Sequence, residues 1–366
     1  MMYKRYLEEK IRSRLFKGRA ILIVGSRQVG KTTLITTVAK NTKNKIFNCD
    51  NPTERSLLEN KDLDYLKKLV GDVDLVLIDE AQKVGTIGQT IKLLVDHFGE
   101  KKQIIVTGSS SINLLDNTQE PLTGRKYVYN LFPLSLQEIY SNKLDFQKNI
   151  DENLVFGTYP EIQRQNSFSE KTELLQELSS SYLYRDILEL QRIKSSDLLF
   201  KLLKSLALQI GSEVSYNELS GNLGIDVKTV ERYIDLLEKS FVIFRLRPFK
   251  HNKRRSISKH NKIYFYDLGI RNSIINNFNM LDSRNDVGEL FENLCILERM
   301  QYRARNDIHG NQYFFRTYDG AEVDLIEERD GDLFAYEFKL KKRRKRTDWE
   351  NYEVIDKEDL FEFITI

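Results

Sequence analysis

The stretch Ala20-Ile21-Leu22-Ile23-Val24-Gly25-Ser26-Arg27-Gln28-Val29-Gly30-Lys31-Thr32-Thr33-Leu34-Ile35 decides the fold. Five apolar residues, Ala20 to Val24, read as a buried strand, and the run from Thr33 to Lys40 reads as a helix. Between them lies GxxxxGKT in the context that gives the pattern meaning. Gly25 and Gly30 permit a tight loop whose backbone N–H groups wrap phosphate oxygens, and the helix N-terminus adds its partial positive charge. Lys31 supplies an ammonium for the β- and γ-phosphates, and Thr32 offers a hydroxyl to Mg²⁺. Ser26, Arg27, Gln28 and Val29 complete the loop, and Thr33 closes it.

Two further strands extend the site. Asp74-Leu75-Val76-Leu77-Ile78-Asp79-Glu80 ends in two acids after an apolar run, so Asp79 is the candidate for holding Mg²⁺ through water and Glu80 for activating the attacking water. Gln103-Ile104-Ile105-Val106-Thr107 runs into Gly108-Ser109-Ser110-Ser111. A polar side chain there is placed to touch the γ-phosphate or the water, with Ser109 first and Thr107 next, unless the segment is a plain turn. Asn142-Lys143-Leu144-Asp145 matches the guanine-reading NKxD, but it follows a helix-like segment rather than a buried strand, and no DxxG follows the third strand, where Asp79-Glu80-Ala81-Gln82 stands instead. ATP is therefore the expected nucleotide.

The 366 residues allow two or three domains, and 40% hydrophobic with 30% charged residues is a globular composition. No apolar run approaches the roughly 18 residues of a membrane span. The N-terminus alternates charged and apolar residues and lacks a signal-peptide core, so a cytoplasmic protein is expected. Cys49 and Cys295 fit no zinc or CxxC spacing and read as reduced structural residues.

Gly25-Ser26-Arg27-Gln28-Val29-Gly30-Lys31-Thr32-Thr33-Leu34, with Leu77-Ile78-Asp79-Glu80-Ala81-Gln82, Thr107-Gly108-Ser109-Ser110 and Leu122-Thr123-Gly124-Arg125, resembles the prokaryotic AAA+-type P-loop ATPases. More narrowly, the chain is similar to those fused to a C-terminal restriction-endonuclease-like domain of unknown function, and Phe132-Pro133-Leu134-Ser135 and Phe156-Gly157-Thr158-Tyr159-Pro160-Glu161 extend the resemblance. It implies an α/β sheet of AAA+ topology, a helical lid after about residue 150, and an arginine completing the ATP site, often from a neighbouring subunit of a homo-oligomer. Arg125 is the candidate by motif position and Arg185 a weaker one; a surface salt bridge is the alternative for either.

Val214 to Leu237 has helix-turn-helix spacing, with a turn at Gly224 and a second helix capped by Asp226. Lys228, Thr229 and Arg232 would lie on its exposed face. The strand Val242 to Leu246 follows, then Arg247 to Lys262 with seven basic residues, among them Lys253, Arg254 and Arg255, and no acid. This reads as a winged helix with a basic wing, suited either to phosphates of DNA or RNA or to a protein partner.

Gly320 to Glu327 and Leu333 to Leu340 read as a hairpin with a Gly-containing turn. Glu337 and Lys339 share a face and could be brought beside Asp324. That is the D…ExK arrangement of PD-(D/E)xK nucleases, in which Asp324 and Glu337 would ligate Mg²⁺ and Lys339 would offset developing charge. The resemblance makes Glu292 a further ligand candidate. The basic run Lys341-Lys342-Arg343-Arg344-Lys345-Arg346 follows directly.

The expected organisation is an ATPase core over 1–150, a helical lid over 151–210, a winged helix over 211–262 and a nuclease-like α/β domain over 263–366. The rival is a signalling or scaffolding ATPase with a protein-docking winged helix and an inert nuclease-like domain. The net charge of +3 hides an uneven distribution. The stretches 247–262 and 339–346 hold 14 of the 57 basic residues and no acids, leaving 43 basic against 54 acidic residues elsewhere.

Overall fold

The computed structural model describes residues 3–109, 122–191, 196–249, 260–316, 322–341 and 349–365. The chain divides into two compact units, residues 2–132 with 239–241, and residues 133–238 with 242–366.

The first unit is built on a five-stranded sheet of β1 (Ala20–Val24), β2 (Asn44–Asn48), β3 (Leu75–Asp79), β4 (Gln103–Gly108) and β5 (Lys126–Asn130), in the order β2-β3-β4-β1-β5. Every pairing is parallel. β1, β3 and β4 are buried along their whole length, which is why their sequences are continuous apolar runs rather than alternations. Helices Lys31–Ala39, Leu63–Val70 and Ile87–Phe98 connect the strands. Because the strands are parallel, all their C-terminal ends lie along one edge, where an open α/β sheet forms its crevice.

The second unit carries a seven-stranded sheet: β6 (Glu213–Ser215), β7 (Ile243–Pro248), β8 (His260–Phe265), β9 (Asn311–Arg316), β10 (Glu322–Arg329), β11 (Asp332–Phe338) and β12 (Asn351–Ile355). Their order is β12-β11-β10-β9-β7-β8-β6. The parallel pairing of β7 with β9 joins the strands around the helix-turn-helix to those of the C-terminal hairpin, and β8 runs through residue 262, the expected domain boundary. The hairpin of β10 and β11 closes on Asp330 and Gly331, whose φ values of 53° and 91° suit the left-handed positions of a two-residue turn.

In the stretch read as helix-turn-helix, two helices form, Tyr216–Leu223 and Val227–Lys239. Gly224 ends the first helix at φ 64°, and Asp226 Oδ1 accepts the Thr229 N–H at 2.8 Å to start the second. Asn142, of the NKxD match, is likewise a helix cap: its side chain accepts the Asp145 N–H at 2.9 Å. Cys49 and Cys295 are buried and free. Among the described residues, no helix is long and apolar enough to cross a membrane.

Candidate functional sites

The phosphate loop leaves β1 at Gly25 and enters the helix at Lys31. A Cβ on Gly25 would lie 2.1 Å from the Leu131 carbonyl oxygen, so only glycine lets the loop pass beneath that strand extension. Gly30, at φ 96°, turns the chain into the helix, while Gln28 holds the left-handed region at φ 59° without glycine's freedom. Lys31 is buried, and its ammonium donates to the carbonyls of Gly25 at 2.9 Å and Ser26 at 2.8 Å.

Thr32 Oγ1 donates to Asp79 Oδ2 at 2.7 Å, and Thr107 Oγ1 donates to Asp79 Oδ1. Glu80 follows at φ 52°, its N–H shared between Asp79 Oδ1 at 3.2 Å and Thr107 Oγ1 at 3.3 Å. Gln82 Nε2 donates to Glu80 Oε2 at 2.6 Å and to Ser109 Oγ at 2.8 Å. Lys31, Thr32, Asp79, Glu80, Thr107 and Ser109 thus meet at the C-terminal edge of β1, β3 and β4. Thr33 is exposed one residue further along the helix.

Two members of this site have no role in the motif reading. Gln82 is one, although it ends the stretch Leu77 to Gln82 that carries the family resemblance. The other is Arg5, buried, whose Nη1 donates to the Val29 carbonyl at 2.8 Å and Nη2 to the Phe132 carbonyl at 2.6 Å. In a trans peptide the carbonyl and the following N–H point in opposite directions. Holding the Val29 carbonyl on Arg5 therefore aims the Gly30 N–H away from Arg5.

Arg125 takes the surface salt bridge that was its alternative reading. It immediately precedes β5, and its carbonyl accepts the Ala20 N–H at 2.9 Å, so it lies at the N-terminal edge of the sheet, opposite the phosphate loop. A five-residue strand separates those edges by about 15 Å. Its Nε is paired with Asp96 at 2.5 Å. Any part Arg125 takes in hydrolysis is therefore confined to the site of a neighbouring copy.

The second cluster lies in the second unit. β10 pairs with β9 at Val323↔Phe315 and then at Ile326↔Tyr313, leaving Asp324 and Leu325 opposite Phe314 alone. This bulge puts Val323 and Ile326 in one apolar cluster and re-aims Asp324. The β10–β11 ladder ends at Leu325↔Tyr336, and beyond it Asp324 Oδ2 accepts the Phe338 N–H at 2.8 Å. Lys339 Nζ lies 3.1 Å from Glu337 Oε1 and 3.8 Å from Asp324 Oδ2, and the Tyr352 hydroxyl donates to Glu337.

Glu292, on the helix Val287–Arg305, accepts from Lys262 Nζ at 2.9 Å and from the Tyr264 hydroxyl at 2.5 Å. Lys262 also lies 2.5 Å from Glu322 Oε1. Lys262 and Tyr264 share a face of β8, which is why one carboxylate receives both. Lys262, counted in the basic stretch 247–262, is not available to a phosphate backbone: its side chain is 2% exposed and held by Glu292 and Glu322. Burial disfavours its charge, but Glu292, Asp324 and Glu322 outweigh burial and hold the ammonium protonated above its ordinary range. Burial pushes the carboxyls of Asp324 and Glu292 upward, and for Glu292 the charge of Asp324 adds to it. Among the described residues, no group of three or more His, Cys, Asp or Glu side chains is arranged to hold a metal ion.

On the helix-turn-helix, Lys228 and Arg232 are exposed one turn apart. Thr229 is withdrawn from such a face, because its hydroxyl donates to Asp226 Oδ2 at 2.7 Å. Lys253, Arg254, Arg255, Ser110, Ser111 and the basic run from Lys342 to Arg346 lie outside the described residues.

Comparison with known proteins bears first on the nucleotide site. Residues 17–140 match the family model described as AAA domain. The first unit thus resembles the AAA-type P-loop ATPases in its family match and in its fold. A Walker-type ATPase of Pyrococcus abyssi has the same fold, with a TM-score of 0.52 at 14% identity over 75% of this chain and 96% of that one. Residues 147–281 and 287–362 match two domains of unknown function, DUF8612 and DUF4143. Relatives run nearly the full length. The uncharacterized protein Rv2008c of Mycobacterium tuberculosis is 26% identical over 93% of this chain and 74% of its own. The uncharacterized protein MJ1544 of Methanocaldococcus jannaschii is 26% identical over 95% of this chain and 81% of its own.

Proposed function

We propose that the chain is a cytoplasmic, Mg²⁺-dependent ATPase whose nucleotide state governs a nucleic-acid-binding, phosphodiester-cleaving second half. The observation that carries this reading is the convergence of Asp324, Glu337 and Lys339 at the bulge of β10, in a chain whose other unit resembles the AAA-type ATPases.

At the nucleotide site, Thr32 and Asp79 would hold Mg²⁺, which supplies charge neutralisation at the phosphates. Lys31 exchanges its two carbonyl partners for β- and γ-phosphate oxygens. Glu80 orients the attacking water and takes its proton, with its carboxylate positioned by Gln82. Ser109 and Thr107 offer hydroxyls at the γ-phosphate end. Arg125 serves a neighbouring copy in a homo-oligomer.

In the second unit, two carboxylates, Asp324 and Glu337, suit Mg²⁺, which is commonly held by one or two carboxylates together with substrate phosphates. Bound there, the ion would lower the pKa of an attacking water, while Lys339 offsets charge on the cleaved phosphate. The helices Tyr216–Leu223 and Val227–Lys239 with β6, β7 and β8 form the winged helix. Lys228 and Arg232, with Lys253, Arg254 and Arg255 of the basic stretch, neutralise DNA or RNA phosphates.

The test is cleavage of DNA and RNA in Mg²⁺ or Mn²⁺, with and without ATP, beside Asp324→Ala. Metal-dependent cleavage lost in Asp324→Ala supports the reading, and a wild type inert on both substrates overturns it. One observation favours the second reading, an inert docking platform: each carboxylate pair of the cluster is already bridged by a lysine. Binding to nucleic acid that is weak and lacks a salt slope supports that rival.

A further inference from the structure

The acidic cluster of the second unit contains four carboxylates in two pairs. Glu292 and Glu322 are bridged by Lys262 at 2.9 and 2.5 Å; Asp324 and Glu337 are bridged by Lys339 at 3.8 and 3.1 Å. The two lysines differ in freedom. The Lys262 side chain is 2% exposed, fixed on β8 beneath the helix that carries Glu292, whereas that of Lys339 is 45% exposed at the end of β11. An exposed lysine head can swing into water when a metal arrives. A buried one cannot leave without stranding its charge and two carboxylates in the interior. Formally, Glu292, Glu322 and Lys262 sum to −1, whereas Asp324 and Glu337, once Lys339 has swung out, sum to −2, the charge one divalent ion neutralises.

We propose that Lys262 is a resident cation that permanently fills the Glu292–Glu322 position, so that the site takes one divalent ion, between Asp324 and Glu337, and not two. The inference rests on the phosphodiester-cleaving reading above and specifies the metal content of that site. It reassigns Glu292 from metal ligand to partner of Lys262, with Tyr264 donating to the same oxygen. Lys262 is thereby a positioning residue: it holds Glu292 and Glu322 off the ion and leaves two carboxylates facing the substrate phosphate. A single ion with few protein ligands keeps coordination positions for water and phosphate.

The experiment is a calorimetric Mn²⁺ titration of the full chain without nucleotide, in an Asp79→Asn background that removes the nucleotide site's own carboxylate, with circular dichroism on every variant. The expected count is one ion in the Asp79→Asn chain, none when Asp324→Asn is added, and two when Lys262→Met is added, because Glu292 and Glu322 then face each other without a cation. Lys262→Arg keeps the charge and is expected to stay at one. Two ions in the chain with Lys262 intact, or one in folded Lys262→Met, overturns this inference while leaving the metal reading standing. No ion in the chain with Asp324 intact overturns the metal reading and this inference with it. The count with Lys262 intact stands as a test even where Lys262→Met does not fold.

Discussion

Thr32 Oγ1 donates to Asp79 Oδ2 across 2.7 Å, tying the first turn of the phosphate-loop helix to the end of β3. These are the two side chains that the motif reading assigns to Mg²⁺, 47 residues apart in sequence. The hydroxyl proton bridges the oxygens that the ion would organise.

Lys31→Ala is expected to abolish ATP hydrolysis, and Glu80→Gln to retain ATP binding while lowering kcat by on the order of 10²-fold or more, the usual cost of losing a positioned general base. Phosphate release gives the turnover, and fluorescent-nucleotide binding separates the two variants. Normal turnover by either one removes the site assignment.

Arg5→Ala frees the Val29 carbonyl and with it the aim of the Gly30 N–H. The expected result is a KM for ATP raised by up to about tenfold, the scale of one charge-assisted hydrogen bond, with far-UV circular dichroism unchanged. Arg5→Lys restores one donor and should recover part of the loss. An unchanged KM in Arg5→Ala refutes the role.

Stability of the second unit should fall as pH rises. Burial pushes the Glu298 carboxyl up to about 8 and the Asp267 carboxyl up to about 7. Glu298 accepts the Leu136 N–H at 3.1 and 3.2 Å, and Asp267 accepts those of Thr158 and Ile270 at 2.7 and 2.9 Å. A carboxyl with a raised folded pKa binds its proton more tightly when folded, so its stabilising contribution is full below the ordinary carboxylate range and is lost as pH climbs through 7 to 8. The Tm is expected to be several degrees higher at pH 5 than at pH 8.5, and Glu298→Gln should flatten part of that slope. A Tm that rises with pH over this interval contradicts the assignment.

Glu327, fully buried, receives Arg299 at 3.1 Å, Arg303 at 3.4 Å and the Gln312 amide at 3.2 Å. Glu327→Ala strands two guanidiniums in the interior, a change that costs about 3–5 kcal/mol. Urea denaturation should report that loss. Glu327→Ala with a wild-type midpoint would mean the arginines find water.

The nucleotide site was legible in the sequence because its parts are contiguous. A buried strand, a glycine-permitted loop and a helix N-terminus are set by neighbouring residues, and parallel pairing then brings strand ends to one edge, so Lys31, Thr32, Asp79, Glu80 and Ser109 could be named from spacing alone. The hairpin of β10 and β11 was legible for the same reason, through its Asp330-Gly331 turn and its alternation. The place of Arg125 was not legible, because motif position carries no information about which edge of a sheet a residue occupies; the hydrogen bond from Ala20 decides that.

What the sequence by itself determined is local: backbone conformations that particular side chains permit, and the chemistry those chains can offer. Only the tertiary structure decided that Arg5 grips the phosphate loop, that one sheet runs from β6 to β12, and that Lys262 leaves the basic stretch to sit buried between Glu292 and Glu322. Those choices depend on strand register and on which charges packing removes from water. A buried charge is tolerated only where opposite charges converge on it, and that convergence joins residues far apart in the chain, beyond the reach of any short motif.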